Sequence, residues 1–484
     1  MTHFAQNHRS RWKTITRLVV IFCLPVLSAL PVIAQTGRLK ALIQVKDTLV
    51  ARYNRGDFDA FYELADTSFS HYISRPQLTE FLRSQKNNGK IVATTLLADS
   101  SNGRTYFRVS FDLRDMTMVL RTTSDGKFTT FGLSNLPAPR LPYLPVIPCN
   151  NPLKTPLDRI VDSVAREYFR NPNHTALSIG FRIGGKSYRY HYGELKKGSG
   201  KLPDDATGYE IGSITKTITA TLLARAVLEK RLALNDDIRK YLPGDYPDLA
   251  WHGSAIKIQD LANHTSGLPT LPGNFERQSP FIHMQSYAHY TETLFWQALK
   301  QFRPDTLPGT RFSYSNMGFA VLGSILERIY GKPYRSILKT ALNLPMPHTL
   351  NGFSSGRRAS GYSENGREVP ASALGLFDAA GGICSSLQEM LHYVDAQLTE
   401  TDPAIRLTHV PTTNTVRLSW GVLTLPSGGR MIQHSGSTGG FTSNVTLYPE
   451  KQKGMVILTN TKSNVGPVVI ALSKWLSDES STGK

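Results

Sequence analysis

The chain has 484 residues, of which 40% are hydrophobic and 19% charged, with 55 Lys and Arg against 37 Asp and Glu. That length exceeds one ordinary core and predicts two or three domains, and the apolar share excludes wholesale disorder. The formal net charge of +18 raises the question of nucleic acid, but no aromatic-interleaved basic stripe or recognised binding motif accompanies it. A solvated basic surface, able to concentrate the protein near anionic envelope polymers, is the reading kept.

Residues 1–34 read as a secretory signal. Arg9, Arg11, Lys13 and Arg17 precede an apolar stretch from Leu18 to Leu30, and Val32-Ile33-Ala34 supplies small residues for cleavage. Pro25 and Pro31 argue against an uncleaved anchor helix. No later run reaches the roughly 20 apolar residues a membrane-spanning helix needs. The expectation is an exported protein, periplasmic or secreted, with no integral membrane segment after cleavage. Cys149 and Cys384 then remain, too few for a disulfide framework, and either one bridge or two thiols fits.

Residues 35–135 predict a small α+β domain. Leu39, Leu42, Ile43, Leu49, Val50 and Tyr53 recur at helical spacing, and Ser74-Arg75-Pro76 opens a second helix. Phe107, Val109 and Phe111 alternate with polar residues, and Asp125-Gly126 turns Met116–Arg121 into Lys127–Leu133. In order and size this resembles the cone-shaped domains of the nuclear-transport-factor-like fold. A binding or spacer role without chemistry is expected of it. Pro137, Pro139, Pro142, Pro145 and Pro148 make residues 136–151 an extended linker.

Residues 152–478 predict the second domain, with a disordered tail at 479–484. Leu157–Phe169 reads as a helix, and Leu177–Ile183 with Ser187–Tyr192 as a strand pair. After helices and loops come strands at Arg417–Leu425, Arg430–His434, Thr442–Tyr448 and Gly454–Asn460, then a closing amphipathic helix through Val468, Leu472 and Leu476. Sheet at both ends with helices between predicts an α+β fold: an antiparallel sheet flanked by helices, beside a mostly helical insert.

Ser-x-x-Lys occurs six times, at Ser10, Ser124, Ser213, Ser254, Ser336 and Ser481. Only Ser213 stands between a strand-like approach, Tyr209–Gly212, and a clear helix, Thr217–Lys230, with Lys216 one turn on. A serine hydroxyl is a poor nucleophile at neutral pH, and an amine kept partly neutral can take its proton. Tyr314-Ser315-Asn316 adds a phenol that can shuttle a proton and an amide that can bind both lysine and substrate. His434-Ser435-Gly436 ends a strand and leads into Ser437, whose N–H could join that of Ser213 in an oxyanion hole, with His434 supplying polarity or charge. Gly352-Phe353-Ser354-Ser355-Gly356 spells a rival nucleophile elbow, but Pro345 and Pro347 before it and Arg357-Arg358 after it make a loop rather than strand and helix. The 13 histidines form no His-Glu-x-x-His, the cysteines are too few for a zinc cluster, and no glycine-rich phosphate loop follows a strand, so no metal or cofactor is expected.

Together these motifs resemble the penicillin-recognising serine hydrolases, which include serine β-lactamases, D-alanyl-D-alanine carboxypeptidases and related esterases. Leu261–Pro269, Pro308-Gly309-Thr310 and Ala379–Gly382 match family phrases as well, as structural turns. The resemblance implies a β-lactamase-like fold and a penicillin-binding-protein-like cleft. It makes Ser213 the nucleophile that is acylated, gives Lys216 and Tyr314 shared acid/base work with the principal base left open, and has Asn316 position the substrate. His434 stands where most β-lactamases carry lysine, as in the carboxypeptidase and esterase branches, which lowers the expectation of efficient antibiotic hydrolysis. The expected partner is a small-molecule or peptide substrate, cell-wall fragments among them. A binding or sensor protein with little turnover is the alternative.

Overall fold

The computed structural model describes residues 32–477 except 101–102, 138, 343–345, 352–356, 413–415 and 427. Nearly all of the predicted signal, the polar tail and the Ser354 elbow lie outside the described residues. Among the described residues no helix is long and apolar enough to cross a membrane.

Residues 32–135 close around their own core. The first helix, Val32–Arg55, buries Leu42, Val45, Leu49 and Tyr53 along one stripe, whereas Ile43, read from the sequence as part of that stripe, faces outward. Ser74 caps the helix Arg75–Gln85 in a capping box with Gln77. An antiparallel sheet follows in the order β1 (Ile91–Asp99), β2 (Thr105–Phe111), β3 (Asp115–Thr122) and β4 (Phe128–Asn135). β2 turns Phe107, Val109 and Phe111 inward. β1 is an edge strand in which Ile91 alone is buried, so no alternation marks it in the sequence. The proline-rich stretch ends where Cys149 pairs with Tyr192 in a bridge that fastens it to the second domain. Cys149 and Cys384 are free thiols.

The second domain carries a seven-stranded antiparallel sheet. Its spatial order is Val416–Arg417, Trp420–Thr424, Arg430–Ser437, Thr442–Tyr448, Lys453–Thr459, Ala176–Ile183 and Lys186–Gly193, so its two ends in sequence meet in the middle. Thr442–Tyr448 and Lys453–Thr459 are buried along their whole length, as strands covered on both faces must be. Helix Leu387–Thr399 packs on one face close to the backbone, since a Cβ on Gly180 would meet Leu387 and Leu391. Helices Pro156–Tyr168 and Gly466–Ser477 share a second cluster with Phe181, Met455 and Ile457. The remaining helices form the insert against Thr215–Leu228, which is buried on nearly every side.

Two strand predictions need correction. Arg417–Leu425 is a tight hairpin and not one strand, because Leu418 and Ser419 turn with φ of 38° and 82°. A non-glycine turn of this kind leaves no sequence signal. It is held by burial of the Leu418 side chain and by its N–H donating to Asn263 Oδ1 at 3.0 Å. The strand expected to end at His434 runs on to Ser437, paired with Thr442.

Candidate active site

Ser213 lies in the 3-10 turn Gly212–Ile214, immediately ahead of helix Thr215–Leu228. The approach is clamped by strand Cys384–Ser386, which pairs with Gly208–Glu210, and by Ile211 N–H donating to Ile383 O at 3.0 Å. Gly212 has φ of +51°, and a Cβ there would stand 2.6 Å from Ser437 N. A Cβ on Gly436 would stand 1.9 Å from Ile211 O. Only two glycines let the Ser213 turn and the Ser437 strand approach this closely.

Lys216 points back from the first helical turn and is fully buried. Its Nζ lies 3.0 Å from Ser213 Oγ and donates to Ala380 O at 2.5 Å. The rings of Tyr314 and Phe319 stand 4.9 and 5.5 Å from it. Burial holds its pKa well below the ordinary lysine value.

Tyr314 OH donates to Ser213 Oγ at 2.6 Å, and burial raises the phenol's pKa. Ser315 caps helix Asn316–Tyr330 by accepting from Gly318 N–H at 2.7 Å. Its own N–H donates to His264 Nδ1 at 3.0 Å. The His264 ring lies 4.4 Å from that of Tyr314, so the phenol rests on an imidazole bound to the next residue's backbone. Burial and the Lys216 charge push His264 down to about 3. Asn316 opens the helix and lines the same cavity as Tyr287.

On the Ser437 strand, His434 pairs with Val445, and its Nδ1 lies 2.8 Å from Ser435 O. A carbonyl only accepts, so Nδ1 carries the proton. Burial, then the Lys216 charge, pushes His434 down to about 4. Of polarity or charge, only polarity is available from this ring at neutral pH. Ser435 Oγ accepts from Asn444 Nδ2 at 3.0 Å.

A cavity of about 280 Å³ opens over Ser213. Asn316, Ser437 and Gly381 line it, while Lys216 is buried beneath Ser213, Tyr314 stays partly exposed and His434 is half-buried. The chain therefore brings all eight predicted site residues to one region, with Ser435 and Gly436 serving the strand. Ser124 falls between β3 and β4, Ser254 in a two-residue strand and Ser336 in helix Tyr334–Ala341, all outside the cavity lining. A model of the family Beta-lactamase matches residues 161–474.

The chain belongs to the Beta-lactamase family. It is 27% identical over 352 residues to a beta-lactamase of Pseudomonas fluorescens, covering 63% of this chain and 94% of that protein. It is 25% identical over 325 residues to the D-alanyl-D-alanine-carboxypeptidase/endopeptidase AmpH of Escherichia coli K12, covering 62% and 83%. A solved class C beta-lactamase superposes with a TM-score of 0.58 at 24% identity, over 68% of this chain and 98% of that one. A beta-lactamase/D-alanine carboxypeptidase from Pseudomonas syringae gives 0.57 at 25% identity, over 66% and 99%. The family is one of hydrolases and its class C fold is the one seen here.

Sequence reasoning missed several groups in this Beta-lactamase-family cleft. The Ala379–Gly382 phrase, read as a turn, gives Lys216 an acceptor through Ala380 O. Tyr287, Leu374, Phe377 and Lys462 line the cavity without any motif to announce them. Leu113, from the N-terminal domain, lines it as well, so that domain is not a remote spacer.

Proposed function

We propose that the chain is an exported serine hydrolase that forms an acyl-enzyme through Ser213 and acts on D-alanyl peptides, β-lactams or small esters. The observation that carries the reading is the convergence of the Lys216 amine and the Tyr314 phenol on Ser213 Oγ, at 3.0 and 2.6 Å.

Burial disfavours the ammonium form of Lys216 and the phenolate form of Tyr314 alike. The neutral amine is thus the principal base and the phenol the proton carrier. Ser213 Oγ attacks the carbonyl carbon as its proton passes to Lys216 Nζ, and a C–O bond forms while the carbonyl oxygen becomes an oxyanion. That oxygen is assigned to the N–H groups of Ser213 and Ser437, two residues of the cavity lining, and the dipole of the following helix favours the negative charge. As the bond to the leaving nitrogen or oxygen breaks, Tyr314 donates a proton to it and regains one from Lys216. Water repeats the sequence on the acyl-enzyme, returning Ser213 and a free acid. Asn316 orients the substrate. Lys462, at the cavity wall, supplies the positive charge for a substrate carboxylate that a neutral His434 does not.

A fluorophosphonate or penicillin-type probe is expected to label the protein once, at Ser213, and not to label Ser213→Ala. Equal stoichiometric labelling of that variant would end the proposal. Multiple-turnover release of product from a D-alanyl peptide, a β-lactam or a short-chain ester distinguishes a hydrolase from a sensor, which turns over none of them.

A further inference from the structure

We infer that the β2–β3 tip of the N-terminal domain is a built wall of the substrate cleft, and that Leu113 is a specificity-determining residue admitting only a short apolar group beside the scissile carbonyl. The inference rests on the acyl-enzyme reading above and adds to it a substrate limit set by a domain outside the hydrolase fold.

Leu113 borders the same cavity as Ser213. The tip that carries it is pinned from behind: Leu113 N–H donates to Asn88 O at 3.1 Å, and Asp112 N–H to Lys90 O at 3.0 Å. Lys90 N–H returns a bond to Asp112 Oδ2 at 2.8 Å. Gly89, with φ of +90°, makes room for this, since a Cβ there would lie 2.5 Å from the Asp112 carboxylate.

The tip is also docked from the front, by the turn between the short strands Gly361–Tyr362 and Glu368–Val369. Arg367 Nη1 and Asn365 Nδ2 both donate to Phe111 O, at 3.1 and 3.2 Å. Asn365 Nδ2 also reaches Asp115 Oδ1 at 3.2 Å, and Arg114 pairs with Glu364 at 3.6 Å. That turn is fastened to the cleft itself. Tyr362 N–H donates to Gly440 O at 3.1 Å, three residues past Ser437, and Tyr362 O accepts from Lys462 N–H at 2.7 Å. A set of hydrogen bonds thus runs from the end of the Ser437 strand and from the segment after Lys453–Thr459 that carries Lys462 to the backbone flanking Leu113.

The size of this open cleft sets the substrate limit. A cavity of about 280 Å³ lies just below the roughly 300–1,000 Å³ of ligand sites. Leu113 with Leu374 and Phe377 makes part of its wall apolar. A compact apolar group fits, and a long acyl chain meets the leucine.

The test compares rate constants for labelling of the full chain by ethyl and octyl fluorophosphonates, with thermal unfolding of each variant as the check on folding. In Leu113→Ala the octyl-to-ethyl ratio is expected to rise at least about tenfold, since one methylene of fit is worth roughly 10- to 200-fold; in Leu113→Trp it should fall. The undocking variant Asn365→Ala/Arg367→Ala should raise the ratio, and adding Leu113→Ala should give less than the product of the two effects. A ratio within about twofold of wild type in both Leu113 variants overturns the wall. An unchanged ratio in the undocked variant overturns the part assigned to docking. A wild-type chain that neither probe labels overturns the acyl-enzyme reading itself.

Discussion

Replacing Lys216 by methionine separates the amine's chemistry from its packing. The thioether has nearly the length of the lysine stem and suits a site between the Tyr314 and Phe319 rings. In the folded chain the amine resists its proton because it is buried, whereas the unfolded chain binds one below pH 10.5. Wild type therefore loses stability as pH falls from 10.5 to the folded value, by about 1.4 kcal/mol per unit. Lys216→Met has no such dependence. Loss of the donor to Ala380 O costs the variant about 1–3 kcal/mol, but that offset is independent of pH. The stability difference, variant minus wild type, should accordingly climb by about 1.4 kcal/mol for each pH unit descended within the interval. Urea unfolding at stepped pH from 10 downward measures it, and subtraction removes titrations common to both proteins. Acylation by ethyl fluorophosphonate should meanwhile slow by about 10²- to 10⁴-fold. A difference that stays flat with pH would show that folded Lys216 holds its proton, and the amine could not then be the base.

Tyr314→Phe keeps the ring over His264 and removes the donor to Ser213 Oγ; labelling is expected to slow by about 10²-fold or more with little change in Tm, and near-normal labelling would remove the phenol from proton transfer. Gly436→Ala sets a methyl 1.9 Å from Ile211 O, forcing the Ser437 strand from the nucleophile turn, so stability should fall by about 3 kcal/mol and acylation should fall with it; an unchanged unfolding midpoint would contradict the close approach. Acid should destabilise the chain before its carboxylates titrate. His264 and His434, held at about 3 and about 4, stay neutral when folded and bind protons below pH 6.5 when unfolded, so stability is lost as pH falls from 6.5. Buried His264 alone accounts for about 2–3 kcal/mol at pH 4.5, and a Tm that is level between pH 6.5 and 4.5 would refute this.

How legible each element was follows from what its signal depends on. The central strands are covered on both faces, and Lys453–Thr459 stands out by its apolar run Met455–Leu458, whereas Thr442–Tyr448 buries Thr442, Ser443, Asn444 and Thr446 beside Val445 and Leu447. The Ser213 turn was readable because a strand, a glycine and a helical run surround it within a few residues. What escaped depends on tertiary placement. β1 exposes nearly all of its side chains, the Leu418-Ser419 turn is set by Asn263 from another segment, and Ala380 contributes a carbonyl that any residue would possess. Leu113 belongs to this group. Nothing in Asp112-Leu113-Arg114 distinguishes it from another loop until the hydrogen bonds to Asn365 and Arg367 place it beside Ser213.

Neither a buried amine nor a neutral imidazole pair is what stability alone would choose. An ammonium here would have to sit without a carboxylate among apolar rings, and two histidines at this depth forgo the solvation their charged forms enjoy in water. Such a cluster survives because its frame is over-determined. Helix Thr215–Leu228 is buried on nearly all sides, Gly212 and Gly436 lock it to the sheet, and Ser315 ties His264 to the cap of the Asn316 helix. With that frame fixed, the remaining adjustable surface is the outer wall of the cavity. Here that wall includes the β2–β3 hairpin, so the reacting groups stay with the family fold while the limit on what reaches them moves to a unit with its own hydrophobic core.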